Sequence, residues 1–173
     1  TIKNVSPSDD MDATIGCLTA LGVSITKQGS NIFMDSTDFV KNNSKELFTL
    51  DCKESGTTLR IMIPICCALG LNVTFIGSGR LPQRPIEPLR SELISHGASI
   101  SEESNNPIIV SGKIKSGNYT IPGNISSQYI SGLLFILPIL EGDSTITITN
   151  TIESKSYIDM TIDILKQFEI EVD

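Results

Sequence analysis

The stretch DCKESGTTLRIMIPICCALG, residues 51–70, decides the architecture of the chain. It begins with small and hydroxyl residues and continues as an apolar segment that Arg60 alone interrupts. A helix that is apolar on all sides belongs in a protein interior, so we predict a buried helix over 56–69. The N-terminus of a helix offers unbonded N–H groups and partial positive charge, which is typical of an anion site. The alternative is that these hydroxyl residues are ordinary helix caps.

A second segment of the same kind lies further along the chain. NISSQYIS at 124–131 corresponds to KESGTTLR at 53–60, 71 residues earlier, and it opens a second apolar helix that we predict over 127–140. Three junctions from a helix end into a strand recur as well, in ALGVSI at 20–25, SHGASI at 95–100 and QFEIEV at 167–172. Self-similarity at this period indicates a repeated structural unit.

The repeat predicts an α/β (α+β) fold made of β-α-β-α-β-β units around buried parallel helices. We divide the chain into a partial unit over 1–46, a full unit over 47–116 and a partial unit over 117–173, all in one domain. Its first residues, TIKNV, would be the second strand of their unit, and IEVD at 170–173 would be a strand of the last. We therefore expect the chain to be a truncated domain of a larger protein.

Within the units, the residue patterns give further elements. VSITK and NIFMD alternate with period two around a QGS turn, which indicates a hairpin. A helix is predicted from Pro85 through His96, followed by strands in ASISE and PIIVS. His96 stands beside a glycine at the end of this helix, where a structural role is expected.

Composition excludes several classes of function. The net charge of −7 and pI near 4.7 argue against nucleic acid or an anionic membrane as partner. No apolar run reaches the roughly 18 residues of a membrane span, and no signal-peptide pattern opens the chain, so we expect a cytoplasmic protein. The cysteines lack metal-ligand spacing and are predicted to be reduced and buried; they are Cys17, Cys52, Cys66 and Cys67.

Arginines concentrate in GSGRLPQRPIEPLR, residues 77–90. Arg80 and Arg84 flank a turn that Pro82 and Pro85 stiffen, which reduces the entropy lost when a guanidinium is presented to a ligand. The planar guanidinium suits phosphate and carboxylate, so we predict an anion site. Solvated loop arginines are the alternative.

Four motifs, in this order and spacing, resemble the 5-enolpyruvylshikimate-3-phosphate (EPSP) synthase family: ESGTTLR, GRLPQRPIEPL, GNISSQYISGLL and ESKSYIDMT. The resemblance covers essentially the whole chain. It implies a two-domain enzyme with three β-α-β-α-β-β units per domain and the active site between the domains. It implies transfer of the enolpyruvyl group of phosphoenolpyruvate to shikimate 3-phosphate with release of phosphate, on the route to chorismate and the aromatic amino acids. The chemistry is addition and elimination, without metal or cofactor.

The resemblance also implies roles for individual residues. Arg80 and the Gly56 backbone would bind phosphoenolpyruvate, and Gln128 would lie between the two substrates. Shikimate 3-phosphate would be bound by residues of the third and fourth motifs, namely Ser126, Ser127, Gln128, Ser154 and Tyr157. Glu54, Arg60 and Arg84 would support these residues. Independently of the resemblance, the matching repeat positions and all-round apolarity of the two buried helices predict that they run parallel, with their N-termini on one face beside Arg80.

Two departures from the family pattern are visible. Lys53-Glu54 stands where the family usually has Gly-Asn, and Glu54 should repel an anion unless it pairs with Lys53 or turns outward. The family's PGSKS segment and second domain, with the residues expected to transfer protons, are absent from this sequence. We therefore expect the missing second domain to be a partner and the chain alone to be inactive.

Two other functions remain open at this point. The sister enolpyruvyl transferase, which acts on a UDP-sugar in cell-wall synthesis, shares the repeat but is expected to lack SSQY paired with SKSYID. A non-catalytic anion-binding module, from a different class, would keep the helix N-termini and lose the reaction.

Overall fold

The computed structural model describes residues 1–37, 39, 47–101 and 107–173, in which helices and strands alternate as the repeat predicts. The helices are α1 (Asp9–Ala20), α2 (Gly56–Leu69), α3 (Leu89–Ser95), α4 (Ser127–Ile136) and α5 (Lys155–Gln167). The strands are β1 (Ser24–Gln28), β2 (Asn31–Asp35), β3 (Leu47–Asp51), β4 (Asn72–Ile76), β5 (Ala98–Ile100), β6 (Ile108–Gly112), β7 (Asn118–Pro122) and β8 (Thr145–Thr149).

The strands form three small sheets. The largest has the order β3-β4-β6-β5, with β3 parallel to β4 and the other neighbours antiparallel. β7 and β8 form a parallel pair, and β1 and β2 form the expected antiparallel hairpin. β3 and β7 show the same alternation of exposed and buried residues, because each precedes one of the two buried helices. The mixed α/β class is confirmed.

α2 and α4 pack against each other in parallel, as predicted. Gln128 at the start of α4 bonds Thr57 at the start of α2, and one turn on, Gly132 lies against Arg60 and Pro64. A Cβ on Gly132 would come 3.1 Å from the Arg60 carbonyl oxygen and 3.0 Å from Pro64 Cγ. Glycine thus permits a close approach between the helix backbones, and both N-termini open at one end of the domain.

The core surrounds these two helices. Among the described residues, the core takes buried or partly buried apolar side chains from β3 through β8 and none from β1 or β2. Tyr119 and Tyr129 are among the largest fully buried groups. All four cysteines are buried and free, as predicted. Burial raises the pKa of Cys67 to about 12 and also raises that of Cys66, so these thiols stay protonated and unreactive.

Prolines shift two helix boundaries from the predicted positions. α3 begins at Leu89 instead of Pro85, since residues 81–83 form a 3-10 turn and Pro88 restricts the residue before it to non-helical backbone. α4 ends at Ile136, and residues 137–139 form a 3-10 turn, because Pro138 has no N–H with which to continue the helix.

Two predicted strands are wrong. TIKNV contributes a single bridge between Ile2 and Ile32, and residues 170–173 are not in a strand. A strand needs a partner along its whole length. TIKNV bonds to residues 30–32 only through Ile2 and Val5, and residues 170–173 pair with no strand in the described ranges. The unit boundary at 46/47 stays a prediction, as it adjoins residues outside the described ranges, and so does the one at 116/117.

His96 has the structural role expected of it. It ends α3, its ring stacks on Tyr119 with a centroid distance of 3.7 Å, and its Nδ1 is 2.9 Å from the Glu92 carbonyl oxygen. Across the part of the chain that the structure describes, no helix combines the length and apolarity that a membrane crossing requires.

Candidate anion-binding site

At the start of α2, the hydroxyls of Ser55 and Thr58 are already hydrogen-bonded within the protein. Ser55 caps the helix: its Oγ accepts a hydrogen bond from the Thr58 backbone N–H at 3.1 Å and lies 2.8 Å from Thr58 Oγ1. Thr58 Oγ1 also lies 2.8 Å from Thr14 Oγ1 and within 3.2 Å of the Asp10 carbonyl oxygen on α1. Ser55 and Thr58 are both 2% exposed. These hydroxyls therefore stabilise the turn and are not available to a ligand.

Two guanidinium groups lie at this turn. A Cβ on Gly56 would come 2.9 Å from Nη1 of Arg84 and 3.7 Å from Nη1 of Arg60. The missing side chain of Gly56 therefore leaves the space that Arg84 occupies. Positive charge and helix N–H groups are combined at one place, which favours an anion.

Arg80, which the resemblance assigned to phosphoenolpyruvate, lies in the turn that follows β4. The turn is attached to the chain before α2, because the Ser78 N–H donates to the Lys53 carbonyl at 2.7 Å. The Arg80 side chain is exposed, and within the described ranges no side chain bonds its guanidinium. Arg84, predicted to be a supporting residue, is the arginine that the structure brings against Gly56.

The Lys53–Glu54 pair suggested by the sequence does not form. Lys53 Nζ lies 2.6 Å from Oδ2 of Asp51, and this hydrogen bond lowers the pKa of Asp51. The Glu54 carboxylate instead packs on Gly79, with Oε2 3.5 Å from the Arg80 backbone N–H. Glu54 is thus turned toward the 78–80 turn and not toward Lys53.

The residues assigned to shikimate 3-phosphate come together. An open cleft of about 690 Å³ lies at the starts of α4 and α5, next to the start of α2. All five of the assigned residues line it, together with two polar residues of α2: Ser126, Ser127, Gln128, Ser154, Tyr157, Thr57 and Arg60. The cleft therefore unites residues from three helix N-termini that are far apart in sequence.

The hydroxyls of Ser126, Ser127, Ser154 and Tyr157 in this cleft have few partners in the described part of the chain. Ser126 caps α4 by accepting from the Gln128 N–H at 3.3 Å. Ser154 precedes α5 in a left-handed conformation, φ 54°, and its side chain makes no capping hydrogen bond. Tyr157 is 60% exposed. Neutral donors beside a helix N-terminus can bind a phosphate group from several sides.

Gln128 connects the two clusters. Its Oε1 accepts a hydrogen bond from Arg60 Nη1 at 3.0 Å, and its Nε2 donates to Thr57 Oγ1 at 2.8 Å. Arg60 also donates to the carbonyl of Pro85, the residue after Arg84, at 3.0 Å. The Tyr129 hydroxyl donates to the same carbonyl at 2.9 Å, and its ring lies 5.4 Å from the Arg60 guanidinium carbon. Sequence reasoning missed Thr57, although it directly follows Gly56 in the same motif.

The arrangement can bind anions more readily than it can move protons. Asp10 is the one carboxylate residue that lines the cleft in the described part of the chain, and its carbonyl oxygen accepts from Thr58. Across residues 1–37, 39, 47–101 and 107–173 there is no cluster of side chains that could hold a metal ion. Stabilisation of negative charge by fixed donors is the chemistry that this site offers.

Comparison with known proteins gives one consistent result. The sequence profile of the family described as EPSP synthase (3-phosphoshikimate 1-carboxyvinyltransferase) matches residues 1–173. A 3-phosphoshikimate 1-carboxyvinyltransferase of Clostridium kluyveri is 42% identical over 175 residues, covering 99% of this chain and 40% of that protein. The enzyme of that name from Clostridium acetobutylicum is 42% identical over 178 residues, covering 100% of this chain and 41% of that protein.

A solved structure supports the fold. EPSP synthase from Acinetobacter baumannii superimposes with a TM-score of 0.70 at 22% identity, over 88% of this chain and 35% of that one. The chain thus spans about 40% of the length of the curated relatives that it matches.

Proposed function

The chain belongs to the EPSP synthase family, and from this premise we propose that it forms the substrate-binding part of a 3-phosphoshikimate 1-carboxyvinyltransferase. The proposed reaction transfers the enolpyruvyl group of phosphoenolpyruvate to the 5-hydroxyl of shikimate 3-phosphate and releases phosphate. The protein would act in the cytoplasm, in aromatic amino-acid biosynthesis. The observation that carries this proposal is the cleft in which all five residues assigned to shikimate 3-phosphate meet.

Shikimate 3-phosphate is the proposed ligand of the cleft. Ser126 and Ser127 would donate to its phosphate at the N-terminus of α4, and Ser154 would donate from the start of α5. Tyr157, exposed on the first turn of α5, would cover the sugar-like ring. Support comes from the free hydroxyls and from the partial positive charge of the helix N-terminus.

Phosphoenolpyruvate is the proposed ligand of the α2 N-terminus. The Gly56 backbone would face it, and Arg84, which lies over Gly56, would bind its carboxylate or phosphate. Arg80 remains a predicted ligand from the neighbouring turn. Gln128 would lie between the two substrates, since it bonds residues of α2 while lining the cleft of α4.

The Arg84 guanidinium at the α2 turn and the hydroxyls of Ser126 and Ser127 at the α4 turn would stabilise the negative charge of a tetrahedral addition intermediate. These residues do not include an evident pair for proton transfer, and we assign that role to a second domain of the intact protein. Both substrates would then bind in the space between the two domains, where exclusion of water strengthens every hydrogen bond.

The test is a phosphate-release assay on the intact gene product that contains residues 1–173. Phosphate should be released when phosphoenolpyruvate is supplied with shikimate 3-phosphate and not when it is supplied with UDP-N-acetylglucosamine. Release with phosphoenolpyruvate and the UDP-sugar, and not with phosphoenolpyruvate and shikimate 3-phosphate, would favour the cell-wall enzyme. Binding of both anions without any turnover would favour a non-catalytic module.

A further inference from the structure

The Gln128 carboxamide is held at both of its ends by α2. Arg60 has donors only, so the group it meets at 3.0 Å must be the amide oxygen. The amide nitrogen is therefore the group that faces Thr57 Oγ1 at 2.8 Å, and the orientation of the carboxamide has one solution. Arg60 is itself fixed, because its Nη2 donates to the Pro85 carbonyl at 3.0 Å.

This arrangement leaves part of the carboxamide for a ligand. An amide has two N–H donors and two acceptor positions on oxygen, and α2 uses one of each. Gln128 is half-buried and lines the cleft, so the remaining N–H and the remaining lone pair are available there. A glutamine without these anchors would lose rotamer freedom when it bound the ligand, which weakens binding.

We infer that Thr57 is a positioning residue, which orients the Gln128 carboxamide so that one N–H and one lone pair face an oxygen-rich ligand in the cleft. The inference rests on the proposed function for the identity of that ligand, shikimate 3-phosphate. The orientation itself depends only on hydrogen bonds between α2 and α4. Thr57 acts through Gln128, and its effect should vanish when the carboxamide is removed.

The test uses the intact gene product with Thr57→Val, which keeps the shape and removes the acceptor, and Thr57→Ser, which keeps the hydroxyl. In the ligand-free protein, NMR relaxation of the Gln128 side-chain NH₂ should show a rigid amide in the parent and Thr57→Ser and a mobile one in Thr57→Val. The dissociation constant of shikimate 3-phosphate should rise on the order of fivefold in Thr57→Val and return close to the parent value in Thr57→Ser.

A double-mutant cycle separates positioning from a general loss of structure. In the Gln128→Ala background, Thr57→Val should leave the dissociation constant of shikimate 3-phosphate unchanged. A rigid Gln128 amide in Thr57→Val, or an equal loss of affinity in both backgrounds, would overturn the inference. Failure of the parent protein to bind shikimate 3-phosphate would overturn the proposed function instead, and the relaxation measurement would still decide the role of Thr57.

Discussion

The first turns of α2 and α4 occupy the same place in the repeat and have different polar groups available. Ser55 and Ser126 are 71 residues apart and both cap their helix. The next position is Gly56 in α2 and Ser127 in α4. In α2 the capping serine is buried and satisfied, and Arg84 fills the space over the glycine. In α4 the serines are half-exposed in an open cleft.

A single residue therefore changes the kind of anion site that a helix N-terminus provides. Glycine admits a guanidinium, which brings a full charge, and serine supplies a short neutral donor. The two helices begin with the same backbone arrangement and a capping serine. The next residue determines whether a guanidinium or a serine hydroxyl stands beside the helix N-terminus. The two sites are joined by Thr57 and Gln128, which also stand 71 residues apart and so meet as equivalent positions.

The largest expected effect comes from disrupting the close packing of α2 on α4. Gly132→Ala places a methyl group 3.1 Å from the Arg60 carbonyl oxygen, so the backbone of α2 must shift by a few tenths of an ångström against α4. We expect a loss of about 2–3 kcal/mol in the free energy of unfolding, measured by urea denaturation. The matched control is Gly16→Ala in α1, where an added Cβ meets nothing within 4 Å and helix propensity should improve stability. Equal stability of the two variants would contradict the close packing of α2 on α4.

The second prediction concerns the two caps. Ser55→Ala should cost about 2 kcal/mol of unfolding free energy, since it removes the acceptor of the buried Thr58 N–H and one of the hydrogen bonds of the Thr58 hydroxyl. Ser126→Ala should cost less, about 0.5–1 kcal/mol, as water can reach the exposed N–H groups of α4. Urea denaturation of both variants measures the difference. An equal loss would mean that the two turns are not distinct in their internal bonding.

The third prediction sharpens the difference in binding. Ser127→Ala should weaken binding of shikimate 3-phosphate by about 1 kcal/mol, roughly fivefold, and leave the free energy of unfolding nearly unchanged. Isothermal titration of the intact gene product measures the affinity. Ser24→Ala, at an exposed position on β1, is the control. An unaltered affinity would return Ser127 to an ordinary helix-start position.

The smallest expected effect is a pH dependence of stability, which distinguishes β7 from β3, the strands that precede α4 and α2. Phe48 in β3 and Tyr119 in β7 are equivalent buried residues, and only the tyrosine ionises. Burial raises the pKa of Tyr119 to about 12 in the folded protein, above its ordinary value of about 10. The stabilising contribution is full below pH 10 and is lost as pH rises from 10 toward 12.

We expect a loss below about 1 kcal/mol at pH 10.5 from this tyrosine, which Tyr119→Phe should remove. Denaturation midpoints between pH 8 and pH 11 measure it, with exposed Tyr157→Phe as control. A parent protein whose alkaline slope is unchanged by Tyr119→Phe would show that this burial is not linked to stability.

Sequence patterns were sufficient for the frame of the fold. The 71-residue spacing and the apolar composition of both segments correctly predicted parallel buried helices, because an all-apolar helix has no stable place at a surface. The hairpin and the order of elements followed from local periodicity. The start of α3 was missed, since the effect of Pro88 on its neighbours competed with the helix signal of Pro85.

The candidate site was only partly predictable. The grouping of five residues in one cleft came from motifs, and their geometry agrees with it. Which arginine lies on Gly56 was not predictable, because Arg80 and Arg84 are four residues apart and a 3-10 turn at 81–83 decides their directions. The contact of Thr57 with Gln128 was missed because the 71-residue repeat aligns the two positions but does not show that their side chains face each other.

Pro64 within α2 has a consequence for motion. It has no N–H to donate to the Arg60 carbonyl, so the helix lacks one hydrogen bond midway along its length. The segment before the proline carries Gly56, Thr57 and Arg60, and its apolar side chains pack in the core like those of the second half, so the two halves differ in hydrogen bonding and not in burial. Amide hydrogen exchange in α2 should therefore divide at Pro64, with slow exchange after it and faster exchange before it. Ligand binding would then stabilise the half of α2 before Pro64. The amides of that half should exchange more slowly when phosphoenolpyruvate and shikimate 3-phosphate are both bound.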